Sequence, residues 1–145
     1  MDIQITPAKS IDLPAVLALL IEAKLPTEGV QEHFVDFLVV RFGEQIVGSV
    51  GIERYGATAL LRSLVVSPRW RNQQIGQQLT AQAITYAQTN TVSELVLLTT
   101  SAADFFGRHF GFVPAQRNLF DEKLKNSAEW TLNCCASAIC LVKLL

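Results

Sequence analysis

Charge is scarce in this chain. Only 17% of its 145 residues are charged, and 12 Lys+Arg stand against 13 Asp+Glu. A nucleic-acid binder normally carries a clear basic excess, so that class is excluded, and no nucleic-acid partner is expected. Long apolar runs are also missing. The two best stretches, residues 15–21 and 136–142, fall well short of the ~20 residues a spanning helix needs, so no membrane partner is expected. Met1-Asp2-Ile3-Gln4 lacks the basic and apolar regions of a secretory signal. Cysteine is limited to Cys134, Cys135 and Cys140. This is an odd, clustered set that makes no disulfide framework and fits a reducing cytoplasm, the expected location. Discounted too is a paired thiol site, because the adjacent Cys134 and Cys135 would face opposite ways in extended chain. His33 and His109 have no metal-ligand spacing, and no metal is expected. Repeats, low-complexity tracts and linkers are absent, so one domain is expected over 1–145.

What is present is apolar. Half of the residues are hydrophobic and the mean hydropathy is +0.29, which excludes intrinsic disorder. Residues 3–6 alternate like a short strand. Asp12 is placed as an N-cap with Pro14 in the first turn, and Leu13, Val16, Leu17, Leu20 and Ile21 follow at helical spacing. Residues 35–42 and 45–55 are β-rich and joined by Gly43-Glu44, a hairpin signal. A turn at Gly56 leads to a strand at 59–66, completing an antiparallel meander.

Beyond Pro68 the period changes. Ile75, Leu79, Ala83, Ile84 and Ala87 predict a helix over 73–89. Leu95-Val96-Leu97-Leu98, within residues 91–100, is a continuous apolar run of the kind covered on both faces. Strand, helix, strand in that order needs a crossover, so the strands at 59–66 and 91–100 are expected to run parallel. A short helix at 102–110, a strand at 111–113, a helical segment within 117–131 and a last strand at 136–144 complete the reading. The fold class is α/β (α+β), a mixed sheet that is antiparallel early and parallel at its centre, flanked by helices.

The most informative stretch joins strand to helix: Leu64-Val65-Val66-Ser67-Pro68-Arg69-Trp70-Arg71-Asn72-Gln73-Gln74-Ile75-Gly76-Gln77. First-turn amides lack intrahelical partners and sit at the positive end of the dipole, so they suit phosphates, and Arg69 and Arg71 add cations. Gly76 lets a ligand approach the backbone. An ordinary strand–helix joint with two solvated arginines fits the same residues.

This segment resembles the acetyl-CoA-binding motif of the GNAT acyltransferase superfamily, Q/R-x-x-G-x-G/A, with Arg71, Gln74 and Gly76 at its three fixed positions. Gln74 replaces the first glycine, and Asn72 stands where many members also have glycine. Phe110-Gly111-Phe112 resembles the superfamily's later G-F signature. More narrowly, the runs 25–30, 51–56, 60–64, 98–100, 103–106 and 135–138 resemble the arsenic-resistance N-acetyltransferases, relatives of arsinothricin and phosphinothricin acetyltransferases.

The resemblance implies an acetyl-CoA-dependent N-acetyltransferase acting on the amine of a small amino-acid-like substrate. A different amine or a non-catalytic acyl-CoA-binding domain is the alternative. It implies a pantetheine arm paired with the backbone of Leu64, Val65 and Val66, where a β-bulge splays the strand from its neighbour. The pyrophosphate falls on Arg71, Asn72, Gln73, Gln74, Ile75, Gly76 and Gln77, with the Gln74 side chain turned away. The superfamily's tyrosine acid on the short helix is missing, since Phe105 and Phe106 stand there. Catalysis without that acid is expected, with Phe106 against the pantetheine.

Glu53, in an otherwise apolar strand, is the candidate general base; proton removal through ordered water is the other reading. Arg62 is more telling, because nearly every neighbour in 59–66 is apolar and a buried guanidinium is costly unless paired. It is either in an internal ion pair with Glu53 or Glu28, or a bidentate clamp for an anionic substrate. Strand parity puts Arg62 with Leu60 and Leu64 and turns Ser63 the other way. Arg62, Ser63, Thr27 and Glu28 are the expected substrate-binding residues. The apolar last strand, exposed as an edge, would imply a homodimer.

Overall fold

The computed structural model describes residues 3–132 and 137–145. Seven strands form one sheet: β1 (Ile3–Pro7), β2 (Phe37–Phe42), β3 (Gln45–Tyr55), β4 (Thr58–Val66), β5 (Glu94–Thr99), β6 (Val113–Pro114) and β7 (Ile139–Leu144). Their order is β1-β2-β3-β4-β5-β7-β6. Only β4 and β5 pair in parallel, and the meander β2-β3-β4 is antiparallel. The crossover between β4 and β5 is α3 (Ile75–Thr89), as the change of period predicts. Pro7 is tolerated because β1 is an edge strand, where a missing donor interrupts no ladder.

One face of the sheet is covered by α3 and α4 (Ala103–Phe110). Ile75, Leu79 and Ala83 of α3 and Phe106 of α4 pack there on Val50, Ile52, Leu61, Leu95 and Leu97. The other face carries two separate apolar clusters. Val16 and Leu20 of α1 (Leu13–Glu22) and Val30 of α2 (Val30–His33) lie on Phe37, Val39 and Val65. Phe120, Leu124 and Trp130 lie on Leu60, Val96 and Cys140. Between these two clusters runs a polar seam, and the candidate site grows out of it.

Three expectations are corrected. Asp12 does not cap α1 with its side chain. Its carboxylate instead accepts from the Lys9 amide (2.8 Å) and binds the Arg41 guanidinium of β2, since a charged partner outweighs a neutral amide. That pairing holds the Asp12 carboxyl below the usual range. The segment 117–131 is not a helix beyond a 3-10 turn at Arg117–Phe120. Ser127 and Thr131 hydroxyls bond to nearby backbone, and the Trp130 indole donates to Asp121 (3.0 Å), giving the chain an alternative to helical bonds.

The last strand is no edge. β7 pairs with β5 along its whole length and with the two-residue β6 at Leu141 and Val142, while Ile139 and Leu144 keep exposed side chains. The start expected for it at Ala136, and the cysteines Cys134 and Cys135, lie outside the described residues; Cys140 is buried in β7. Among the described residues, no helix is long and apolar enough to cross a membrane.

Candidate active site

β4 and β5 stay paired only over Thr58–Leu60 and Glu94–Val96. Beyond that they diverge, and a cavity of about 480 Å³ fills the gap. Leu61, Arg62, Ser63 and Leu64 of β4 line one wall. Leu97 to Ala102 and Phe106 line another, and Lys24, Leu25, Pro26, Glu28, Glu129 and Ala138 close one end.

A β-bulge produces the divergence. Gly51 faces Arg62 and Ser49 faces Val65, so two residues of β4, Ser63 and Leu64, oppose Val50 alone. Ser63 takes a left-handed conformation (φ +59°), which costs a non-glycine residue on the order of 1–3 kcal/mol. Two bonds hold it there. The buried Ser49 hydroxyl donates to the Ser63 carbonyl (2.9 Å), and the Ser63 hydroxyl accepts from Arg62 Nε (3.0 Å). The bulge also overturns the strand parity. Leu60 lies on the Trp130 side, Leu61 and Leu64 on the α3 side and Val65 against α1. Arg62 and Ser63 therefore meet rather than diverge, and Leu64 leaves the face of Arg62.

Arg62 is 3% exposed and sits in the polar seam. Its Nη1 donates to Glu53 Oε2 (2.6 Å) and to the Glu28 carbonyl (2.6 Å), and its Nη2 donates to the Pro26 carbonyl (3.2 Å). The bidentate clamp is thus corrected. Most of the fork is spent inside the protein, and Nη2 also lies 3.9 Å from Glu129 Oε1 at the cavity wall. Gly29 makes this possible. It holds φ +82°, and a Cβ there would lie 3.2 Å from Arg62 Nη1.

Glu53 is fully buried behind Arg62 and is not among the cavity-lining residues. Besides Arg62, it accepts the Tyr55 hydroxyl and lies 3.5 Å from His33 Nε2. Burial and that carboxylate push the Tyr55 hydroxyl pKa well up. A carboxylate so occupied positions Arg62 rather than meeting a substrate amine. Of the other expected substrate residues, Ser63 and Glu28 line the cavity, and Thr27 does not.

Sequence reasoning missed Glu129. This residue sits in the turn that follows Leu124 and lines the cavity with its side chain 11% exposed. Burial, reinforced by Glu53 and Glu28, raises its carboxyl to about 7 despite the attraction of Arg62. A lone glutamate between Ala128 and Trp130 carries no spacing signal, and only the fold brings it to β4.

At the other end, the β4–α3 loop explains two departures from the glycine motif. Asn72 and Gln74 both have positive φ, +65° and +63°, the conformation that glycine adopts freely. Gln74 is exposed. Arg71 Nε donates to the Val66 carbonyl (3.2 Å), tying the loop to the strand end. Ile75 is buried and anchors the helix start, while Phe105 Cζ lies 3.9 Å from where a Gly76 Cβ would stand. Gln73 is exposed and Gln77 half-buried along the same turn.

A family model described as an acetyltransferase (GNAT) domain matches residues 33–114, from the end of α2 through β6. The chain belongs to the GNAT acetyltransferase family. An uncharacterized N-acetyltransferase of Chlorobaculum tepidum is 29% identical over 102 residues, which cover 70% of this chain and 64% of that protein. The match thus spans somewhat less than two thirds of that relative's length. Two solved structures share the fold. N-acetylglutamate synthase from Neisseria gonorrhoeae, complexed with coenzyme A and N-acetyl-glutamate, matches with a TM-score of 0.79 and 21% identity. The match covers 100% of this chain and 35% of that one. Rv2747 from Mycobacterium tuberculosis, in complex with CoA and NLQ, matches at 0.80 and 19% identity over 98% and 99% of the two chains.

Proposed function

We propose that this GNAT chain transfers an acetyl group from acetyl-CoA to the amine of a small amino-acid-like substrate. The observation that carries the reading is the bulged divergence of β4 from β5 around a cavity of about 480 Å³. Strand-edge amides and carbonyls left unpaired in such a gap suit an amide-bearing arm such as pantetheine. In this reading the backbone of Leu64, Val65 and Val66 holds that arm and Phe106 packs against it. The first-turn amides after Gln74, with Arg71 nearby, take the phosphates.

The closed end of the cavity supports the acceptor class. Lys24 and Arg62 offer positive charge there, and Glu28 and Glu129 negative charge, which suits a zwitterion. Lys24, rather than the occupied Arg62 fork, is the freer partner for an acidic group. The sequence runs similar to arsenic-resistance acetyltransferases favour an arsinothricin- or phosphinothricin-type compound within that class. Holding thioester and amine in line can remove roughly 7–11 kcal/mol of barrier, so positioning supplies most of the chemistry asked of the site.

The test is CoA release from acetyl-CoA with a panel of amines: the protein L-amino acids, phosphinothricin, spermidine, glucosamine and a peptide N-terminus. Turnover greatest with amino-acid-like members is expected. Binding of CoA without turnover for any amine would leave an acyl-CoA-binding domain in place of an enzyme.

A further inference from the structure

We infer that Glu129 is the catalytic base of the acyl-transfer site, taking the proton from the acceptor's ammonium group. The inference rests on the acetyltransferase reading above and names the residue that makes the amine nucleophilic. Geometry carries it. Among the described residues, the carboxylates that line the cavity are Glu28 and Glu129. Glu28 lies on the exposed rim, while Glu129 is 9% exposed and faces the bulged strand, 3.9 Å from Arg62 Nη2.

Its backbone is fixed from several sides. The Trp130 amide donates to Ser127 Oγ (3.1 Å), the Leu132 amide donates to the Glu129 carbonyl (3.2 Å), and Arg117 stacks on the Trp130 ring at 4.8 Å. These contacts fix the backbone of the turn that carries Glu129 to the cavity wall.

The charged groups facing it come from three other elements: Arg62 of β4, Glu53 of β3, and Lys24 and Glu28 of the loop before α2. Burial raises its pKa to about 7, opposed by Arg62 and helped in smaller measure by Glu53 and Glu28. A base is most effective when its pKa lies near the working pH.

Glu129 takes one proton from the acceptor ammonium. The freed nitrogen bonds to the thioester carbonyl carbon, the carbon–sulfur bond breaks, and the thiolate takes the nitrogen's second proton. The products are the amide and the free thiol, with one proton left on Glu129 for solvent.

The experiment compares wild type with Glu129→Gln, using the best amine of the panel above and, separately, hydroxylamine, whose nitrogen is unprotonated at neutral pH. Wild type should gain kcat/KM with rising pH through about 7. Glu129→Gln should lose that limb and about a hundredfold in kcat/KM at pH 7 for the amine. It should keep hydroxylamine acetylation above the protein-free rate within threefold of wild type, and bind CoA equally. Glu129→Asp should retain the limb at reduced kcat, which separates loss of the base from loss of folding. An unchanged pH profile in Glu129→Gln, or equal loss with both nucleophiles, would overturn the assignment. Wild type that binds CoA but acetylates neither nucleophile would instead overturn the acetyltransferase reading and this inference with it.

Discussion

Arg62 Nη1 lies 2.6 Å from Glu53 Oε2, with both side chains fully buried. This pair stands in the seam between two apolar clusters and holds Arg62 at the cavity wall. Removing one partner leaves an uncompensated buried charge, at a cost of about 3–5 kcal/mol. Glu53→Gln and Arg62→Met should each lower stability by roughly that amount in urea unfolding. The double variant should lose clearly less than the sum of the two. Additive losses would mean that the pair does not act as a unit.

The same pair makes a kinetic prediction. Arg62→Lys cannot reproduce a fork that serves Ser63, Glu28, Pro26 and Glu53 at once. The acceptor KM should rise at least tenfold while CoA affinity, read by calorimetry, stays within threefold. A parallel loss of both would place Arg62 outside the acceptor end.

Gln74 pays a conformational cost where the motif has glycine, because a side chain at φ +63° is disfavoured by roughly 1–2 kcal/mol. Glycine there removes the strain but adds freedom to the unfolded chain. Gln74→Gly is thus expected to hold or raise the thermal midpoint and to leave CoA binding at least as tight. Gln74→Val, β-branched, should lower the midpoint by several degrees. Equal midpoints for the two variants would remove the conformational explanation.

The Glu129 carboxyl has a folded pKa of about 7, above its ordinary 4.5. The folded protein then binds more protons than the unfolded chain between those values, so this group's contribution to stability falls as pH rises through that window. Glu129→Gln has nothing to titrate. Its stability relative to wild type should grow between pH 4.5 and about 7, by on the order of 3 kcal/mol, and level off above. A difference independent of pH in denaturant titrations would contradict the shifted carboxyl.

Gly51 on β3 lies under the Phe37 ring, and a Cβ there would come within 2.2 Å of Phe37 Cε1. Gly51→Ala must push the ring out of a cluster in which it is 1% exposed. Overpacking of this kind costs about 1–3 kcal/mol. A urea midpoint unchanged by the substitution would show that the ring moves freely.

Much of this was legible before folding, because it is local. The change from period 2 to period 3.6 at Pro68 marks the end of the meander and the start of α3. The continuous run from Leu95 to Leu98 marks a strand covered on both faces. The low charge around Arg62 marks a buried cation. Phe106 was expected at the acyl site only through the family resemblance, and strand parity turned Ser63 away from Arg62. Legibility stopped where partners come from far along the chain. Asp12 reads as a cap until Arg41, 29 residues away, takes its carboxylate. Residues 117–131 read as a helix until Asp121 and Ser127 bind the Trp130 region.

The amino-acid sequence by itself determined the antiparallel meander, the parallel pair at the centre of the sheet and the strand–loop–helix order that joins them. These depend on spacing, turn residues and apolar period, which neighbours along the chain decide. Only the tertiary structure decided the bulge at Ser63, which reverses the facing of every later residue of β4. It also enclosed β7 between β5 and β6, and delivered Glu129 to the wall of the β4–β5 gap. Each of these depends on which distant group reaches a strand first, a competition among hydrogen bonds and ion pairs that no local pattern records.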